Sequence, residues 1–226
     1  MKISNETLNI LKNFSSINNS ILIRPKEGDV GKLSTVSTQK TIMAKAIIKE
    51  EFKKECAIYE LSRFLGTVSL FDDPEFEFED NHVLISSGQQ ATIYRYADPQ
   101  SIVAAPEKDV TIVDPDVEFF LNVDDLSSLV KGCSVLGLPE VAIVGDQKHI
   151  SLQAMDSKNP NSDNHKVVVG ETDKEFSMIL KPENLKLVNS NYSVRVSAKG
   201  IVEFSNSYVS YWIATEASST FKTKEK

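Results

Sequence analysis

The sequence predicts an α+β chain built as two similar units, each with two helices packed on antiparallel sheet. Three observations predict it. Four segments have the apolar spacing of a one-sided helix, short strand-like segments fill the spaces between them, and a proline-containing aperiodic stretch separates two copies of the same order. Leu8 and Leu61, on the first two helices, stand 53 residues apart, and Leu126 and Leu185, on the last two, 59 apart. The break falls near residue 113, giving a unit over 1–113, with a connector from about 98, and a second over 114–226. The repeat is one of pattern, not of identity.

The first helix is expected from about Asn5 to Ile17. Leu8, Ile10, Leu11, Phe14 and Ile17 gather on one side, and Asn5, Asn9, Lys12, Asn13 and Ser16 on the other. Ser4 or Asn5 can cap it, with Glu6 in the first turn. Strands follow at Ile21 to Arg24 and Thr41 to Ile48, while Lys26 to Lys40 is polar and unassigned. The second helix spans about Tyr59 to Phe71, with Leu61, Phe64, Leu65 and Val68 inward. Residues 72–80 hold six acids, but Glu75, Glu77 and Glu79 alternate with Phe76 and Phe78. That spacing fits a strand with one wet face better than a metal site. Val83 to Ser86 and Thr92 to Tyr96 complete the unit, and Asp98 to Asp116, with Pro99, Pro106 and Pro115, is the connector.

In the second unit a strand at Glu118 to Leu121 precedes a helix from about Val123 to Leu136. That helix buries Leu126, Leu129, Val130 and Cys133 and exposes Ser127, Ser128 and Lys131. Strands are expected at Glu140 to Val144, His149 to Ala154, Lys166 to Val169 and Phe176 to Leu180. A short fourth helix then starts with Pro182 at its first position and ends near Asn189. Tyr192 to Ser197, Ile201 to Phe204 and Tyr208 to Ala214 are the last strands. Gly145-Asp146 and Lys199-Gly200 supply turns, and Phe221 to Lys226 reads as a disordered basic extension.

The chain has 226 residues, 41% of them hydrophobic, enough to bury one large core or two modest ones. No apolar run approaches membrane-spanning length, and the start lacks the pattern of a secretory signal, so the chain reads as soluble and intracellular. Cys56 and Cys133 can pair or stand as two buried thiols, and a reducing cytosol favours thiols. The three histidines have no partner at metal-ligand spacing. No phosphate-cradling glycine loop, Gly-x-Ser-x-Gly elbow or Cys-x-x-Cys pair is present. The reading is a protein that is not an enzyme and needs no cofactor.

A net charge of −7 argues superficially against nucleic acid. The placement of charge argues otherwise. Each helix shows one base on its polar face, Lys12, Arg63, Lys131 and Lys186, while acids sit at helix starts or elsewhere. These can be ordinary solubilising charges. If all four helices share one side of a sheet, they form a mildly basic surface that meets phosphates without reading bases.

Met1-Lys2-Ile3-Ser4, Leu11-Lys12-Asn13-Phe14 and Ile17-Asn18 resemble the start of the T4-type bacteriophage sliding clamp, the DNA polymerase processivity factor. Ala57 to Leu61 with Phe64-Leu65-Gly66 looks like that family's second helix, and Ala97-Asp98-Pro99 with Val103-Ala104 and Pro106 like its interdomain connector. Tyr208-Val209 and Glu216 to Thr220 are similar to its last strand. The resemblance implies the DNA clamp fold: a head-to-tail homotrimeric ring, its helices lining a hole that encircles duplex DNA. It implies DNA polymerase, an ATP-driven clamp loader and late-transcription factors as partners, and the cytoplasm of an infected bacterium as the location. It places the partner-peptide pocket at the connector, where Ile102, Val103, Ala104, Ala105 and Pro106 form an apolar run. That run can equally serve only to pack the two units. Lys26 to Lys40 and Asp156 to His165 do not follow the family pattern. A single-stranded-DNA binder without a ring is the alternative, and a hydrolase with an unrecognised site a more distant one; neither explains bases carried on helices.

Overall fold

The computed structural model describes residues 1–25, 31–108 and 110–222. These divide into two compact units, Met1–Asp109 and Val110–Lys226. In unit 1 the order is α1 (Asn5–Ile17), β1 (Ile21–Ile23), β2 (Gly31–Val36), β3 (Ile42–Ile48), β4 (Cys56–Ile58), α2 (Leu61–Val68), β5 (Glu75–Phe78), β6 (His82–Ser87) and β7 (Gln90–Arg95). Unit 2 runs β8 (Val117–Leu121), α3 (Val123–Leu136), β9 (Glu140–Asp146), β10 (His149–Met155), β11 (His165–Glu171), β12 (Glu175–Leu180), β13 (Tyr192–Ser197), β14 (Ile201–Ser205), β15 (Val209–Ala214) and β16 (Thr220–Lys222).

α1 begins where the Ser4 hydroxyl accepts the Thr7 N–H at 3.2 Å. It buries Thr7, Ile10, Leu11, Phe14 and Ile17 against α2, β2 and β3. α2 is shorter than its apolar period suggested. The residues before it, Cys56–Ile58, form β4 and pair with β1, so Ala57 and Ile58 belong to a strand and not to the helix. Asn19 caps α2 from outside, with its carbonyl accepting from Leu61 N–H at 2.6 Å and its side chain from Ser62 N–H at 2.9 Å. The acidic run folds as β5, with Phe76 buried and Glu75 and Glu77 exposed. Strands β5, β6 and β7 are neighbours in that order, and β2 pairs with β3. β2 was not legible: its inward positions include Thr35 beside Leu33 and Val36, so it lacks an apolar alternation. The rest of the unassigned stretch, 26–30, lies outside the described residues.

Unit 2 lays its strands in two runs of antiparallel neighbours, β11-β10-β9-β12-β16 and β15-β14-β13-β8. Leu121, Ile143, Leu180, Tyr192, Val194 and Tyr211 form a core with no exposure. Four expectations need correction. The fourth helix is one 3-10 turn, Pro182–Asn184, followed by irregular chain. Here buried tyrosines take the backbone groups a helix would use: Val188 N–H donates to the Tyr211 hydroxyl at 3.2 Å, and the Tyr192 hydroxyl donates to Val188 carbonyl. Val130 is 43% exposed, not buried, because α3 turns only Leu126, Leu129 and Cys133 fully inward. Gly145-Asp146 is strand, and the turn is Gln147-Lys148, where Asp146 Oδ1 accepts from the N–H groups of Lys148 and His149. Glycine stands at 145 because the Phe176 ring packs there, 2.3 Å from where a Cβ would lie. The expected extension is corrected at its start: Phe221 and Lys222 belong to β16, and Phe221 stacks on Phe176 at 5.3 Å, while the rest of that stretch, 223–226, lies outside the described residues.

Both cysteines are free and buried. No helix among the described residues is long and apolar enough to cross a membrane.

Candidate nucleic-acid and partner surfaces

The four bases do not stand on equal footings. Lys12 is exposed on α1, on the same face as Asn9 and Ser16. Arg63 is exposed on α2, its Nη1 3.2 Å from Glu60 Oε2 one turn earlier. That pair is solvated, so the guanidinium can exchange carboxylate for phosphate at little cost. Lys131 is exposed on α3. Lys186 is half-buried and lies in the irregular chain after the 3-10 turn. In unit 1 the structure brings Lys12 and Arg63 onto adjoining helices, since α1 and α2 pack together. In unit 2 only Lys131 rides on a helix.

The connector run separates into buried and exposed residues. Ile102 is 8% exposed and Ala105 2%, so these two are buried. Val103 is 40% exposed, Ala104 half-buried and Pro106 exposed. Of the expected pocket residues, Ile102 is therefore buried, and Val103 and Pro106 are exposed. Unit 1 grips the connector backbone. The buried Asn18 amide donates to Val36 and Val103 carbonyls at 3.0 and 3.2 Å. Arg24 reaches the Ala105 carbonyl at 3.4 Å and the Glu107 carboxylate at 3.4 Å. Lys45 Nζ donates to the Lys108 carbonyl at 3.0 Å. A small cavity of about 100 Å³ lies beside this grip, lined by Leu22, Arg24, Lys32, Leu33 and Pro106 among others. Asn18, Arg24 and Lys45 escaped the sequence reading because nothing in their local pattern shows what backbone they meet.

A third feature was also illegible. Among the strands that end a sheet are β7 in unit 1, the last of β5-β6-β7, and β11 in unit 2, the first of β11-β10-β9-β12-β16. Ile93 on β7 is 55% exposed and Val168 on β11 is 56% exposed. Apolar helix residues lie close to both. Tyr94 of β7 packs edge-on to Phe64 of α2 at 5.2 Å, and α3, with Val130 and Val135 exposed, packs on β10 and β11. A large exposed β-branched residue on an open edge invites another strand. Among the described residues no group of histidine, cysteine or carboxylate side chains could hold a metal ion.

Residues 4–104 match the family model described as DNA polymerase processivity factor, and residues 118–217 match the gp45 sliding clamp C-terminal model, one in each unit. The chain is 31% identical to the sliding clamp of Vibrio phage KVP40 over 96% of its own length and 100% of that protein. It is 29% identical to the sliding clamp of Enterobacteria phage T4, covering 97% of this chain and 99% of that one. Among solved structures, an A. fulgidus PCNA bound to the C-terminal region of FEN-1 aligns with a TM-score of 0.69 at 11% identity, over 94% of this chain and 96% of that chain. The DNA polymerase III subunit beta sliding clamp of Bartonella birtlesii aligns at 0.70 and 17% identity, over 96% of this chain and 64% of that one.

Proposed function

The chain belongs to the sliding-clamp family of T4-type bacteriophages, and from that premise we propose that it acts as a homotrimeric ring closed head to tail around duplex DNA. It is a sliding clamp, a processivity factor of phage DNA replication. The observation that supports ring closure is that two of the sheet-end strands carry an exposed branched residue. β7 of one copy and β11 of the next present unpaired backbone and an exposed branched side chain each, Ile93 and Val168. Such an interface is heterologous, so it must close on itself or grow without end, and three copies of a two-unit chain close it. Enclosure takes the place of affinity: an acidic chain need not bind DNA tightly if DNA cannot leave sideways.

The helix faces bearing Lys12, Arg63 and Lys131, with Lys186 at the margin, would then line the hole and meet phosphates through solvent. The exposed part of the connector, Val103 and Pro106, would receive short peptides of the polymerase, of an ATP-driven clamp loader and of late-transcription factors. The protein acts by tethering and not by catalysis, in the cytoplasm of the infected bacterium. Light scattering at micromolar concentration tests the ring, and a mass near three times 25.1 kDa is expected. A stable monomer or dimer under those conditions refutes it.

A further inference from the structure

His165 opens β11, and its ring packs against α3 at Gly132. A Cβ at position 132 would stand 2.5 Å from the ring's Cδ2 and 2.7 Å from its Cγ, closer than any real contact. One turn earlier on α3, Ser128 Oγ lies 3.1 Å from His165 Nε2, a hydrogen bond whose donor depends on the ring tautomer. Glycine in a helix interior weakens that helix relative to alanine, so its presence at 132 has to be matched by something gained. The gain is room for the imidazole.

The strand so held is the exposed edge. β11 is paired on one side only, by β10, and that pairing loses register between Ile150 and Ser151. At its start, His165 and Val167 face inward and are half-buried, whereas Lys166 and Val168 are exposed. The strand emerges from the loop 156–164; at its start β10 holds it on one side, with Ala154 opposite His165, and α3 packs on it. We infer that the His165–Gly132–Ser128 contact is a latch that positions the edge strand on α3 and thereby sets how long the ring stays shut; this rests on the ring reading proposed above. His165 is a positioning residue: it presents the β11 edge in one place for the neighbouring copy.

The test uses full-length protein labelled with two fluorophores in separate pools, so that subunit exchange reports ring opening. Hydrogen exchange at the amides of 166–168 reports the strand itself. Gly132→Ala should speed subunit exchange by about tenfold or more, the scale expected when a well-packed contact is overfilled. His165→Ala should speed it similarly. In the His165→Ala background Gly132→Ala should have no further effect on exchange, and should raise the unfolding temperature, because alanine then meets nothing and favours the helix. Wild-type exchange rates in both single variants overturn the latch, as does an equal penalty from Gly132→Ala with and without the imidazole. A monomeric wild type overturns the ring reading and the latch's effect on it. Hydrogen exchange separates the two failures, because unchanged protection at 166–168 in Gly132→Ala shows that the latch itself is wrong.

Discussion

Glu50 is the residue on which the start of α1 depends. Its side chain is buried next to the N-terminus of α1, where Oε1 accepts the Ser4 N–H and Oε2 accepts the Thr7 hydroxyl, each at 2.5 Å. Burial by itself would push the carboxyl up, but the hydrogen bonds from Thr7 and Ser4 outweigh it and hold the group below its ordinary range. Replacing it with glutamine keeps the shape. The amide oxygen can still accept from Ser4, and Thr7 can rotate to accept from the amide nitrogen. What is lost is the charge, worth about 1–2 kcal/mol in charge-assisted hydrogen bonding and attraction to the helix N-terminus. For a chain of this size that is about 2–8 °C in unfolding temperature. Glu50→Ala also strands two donors and opens a cavity, so it should cost roughly 3 kcal/mol or more. A carboxyl with a depressed folded pKa stabilises above its unfolded value, about 4.3, and loses that contribution as pH falls through the folded value. The gap between wild type and Glu50→Gln should therefore be constant from pH 8 to about pH 5.5 and close in stronger acid. Urea unfolding followed by circular dichroism, with hydrogen exchange of α1 amides to localise the loss, measures it. A gap that is absent at neutral pH, or that widens in acid, refutes the reasoning.

Glu203 predicts the opposite sign. It is buried on β14 between Arg195 and Trp212 in cross-strand register, its Oε2 lacks a hydrogen-bond partner among the described residues, and burial pushes its carboxyl up. A raised folded value gives stability below the unfolded pKa that is lost as pH rises, so Glu203→Gln should stabilise at pH 8 and gain little at pH 4.5, read by urea midpoints. Reversing Lys12, Arg63, Lys131 and Lys186 to glutamate together should leave oligomer mass unchanged and reduce processive synthesis, most at low salt. Singly, Lys12 and Lys131 should matter more than the half-buried Lys186; equal processivity at every salt shows that these residues point elsewhere. Val103→Asp should fold normally and lose a polymerase C-terminal peptide by calorimetry, whereas Ile102→Asp should lower the unfolding temperature. Wild-type affinity in Val103→Asp moves the pocket elsewhere.

Helices with a wide apolar stripe were legible in the sequence. α1 and α3 occur over the residues their periodicity marks, and most strands lie within a residue or two of their apolar cores. Legibility failed where long-range partners decided the outcome. Pro182 to Val188 has a helical pattern, yet Tyr192 and Tyr211, from strands later in the chain, hold its backbone otherwise. β2 and β16 owe their strand character to pairing with β3 and β12 rather than to their own composition. The bases were found by type and helix face. Ile93 and Val168 were not, because a sequence does not say which strand ends a sheet. The connector's apolar run was noticed, but not that its backbone is held by Asn18, Arg24 and Lys45, Asn18 standing 85 residues from the Val103 carbonyl it meets.

Open edges such as β7 and β11 are also a hazard, since a head-to-tail contact that fails to close makes fibres. The edges carry features that limit this. β7 sets Ile93 among Gln90, Thr92 and Arg95, and β11 sets Val168 beside Lys166, so neither offers a flat apolar ribbon. β11 is also bulged. Ile150 opposes Gly170 and Ser151 opposes Val168, which leaves Val169 without a partner and bends the strand. A bent edge accepts a partner over a short length at one angle and offers a poor template for continued growth. Short pairing is also what a clamp requires in the proposed ring, because the interface that keeps DNA inside must be weak enough for a loader to open. The properties that guard the edge against aggregation are thus those that would let the ring be opened.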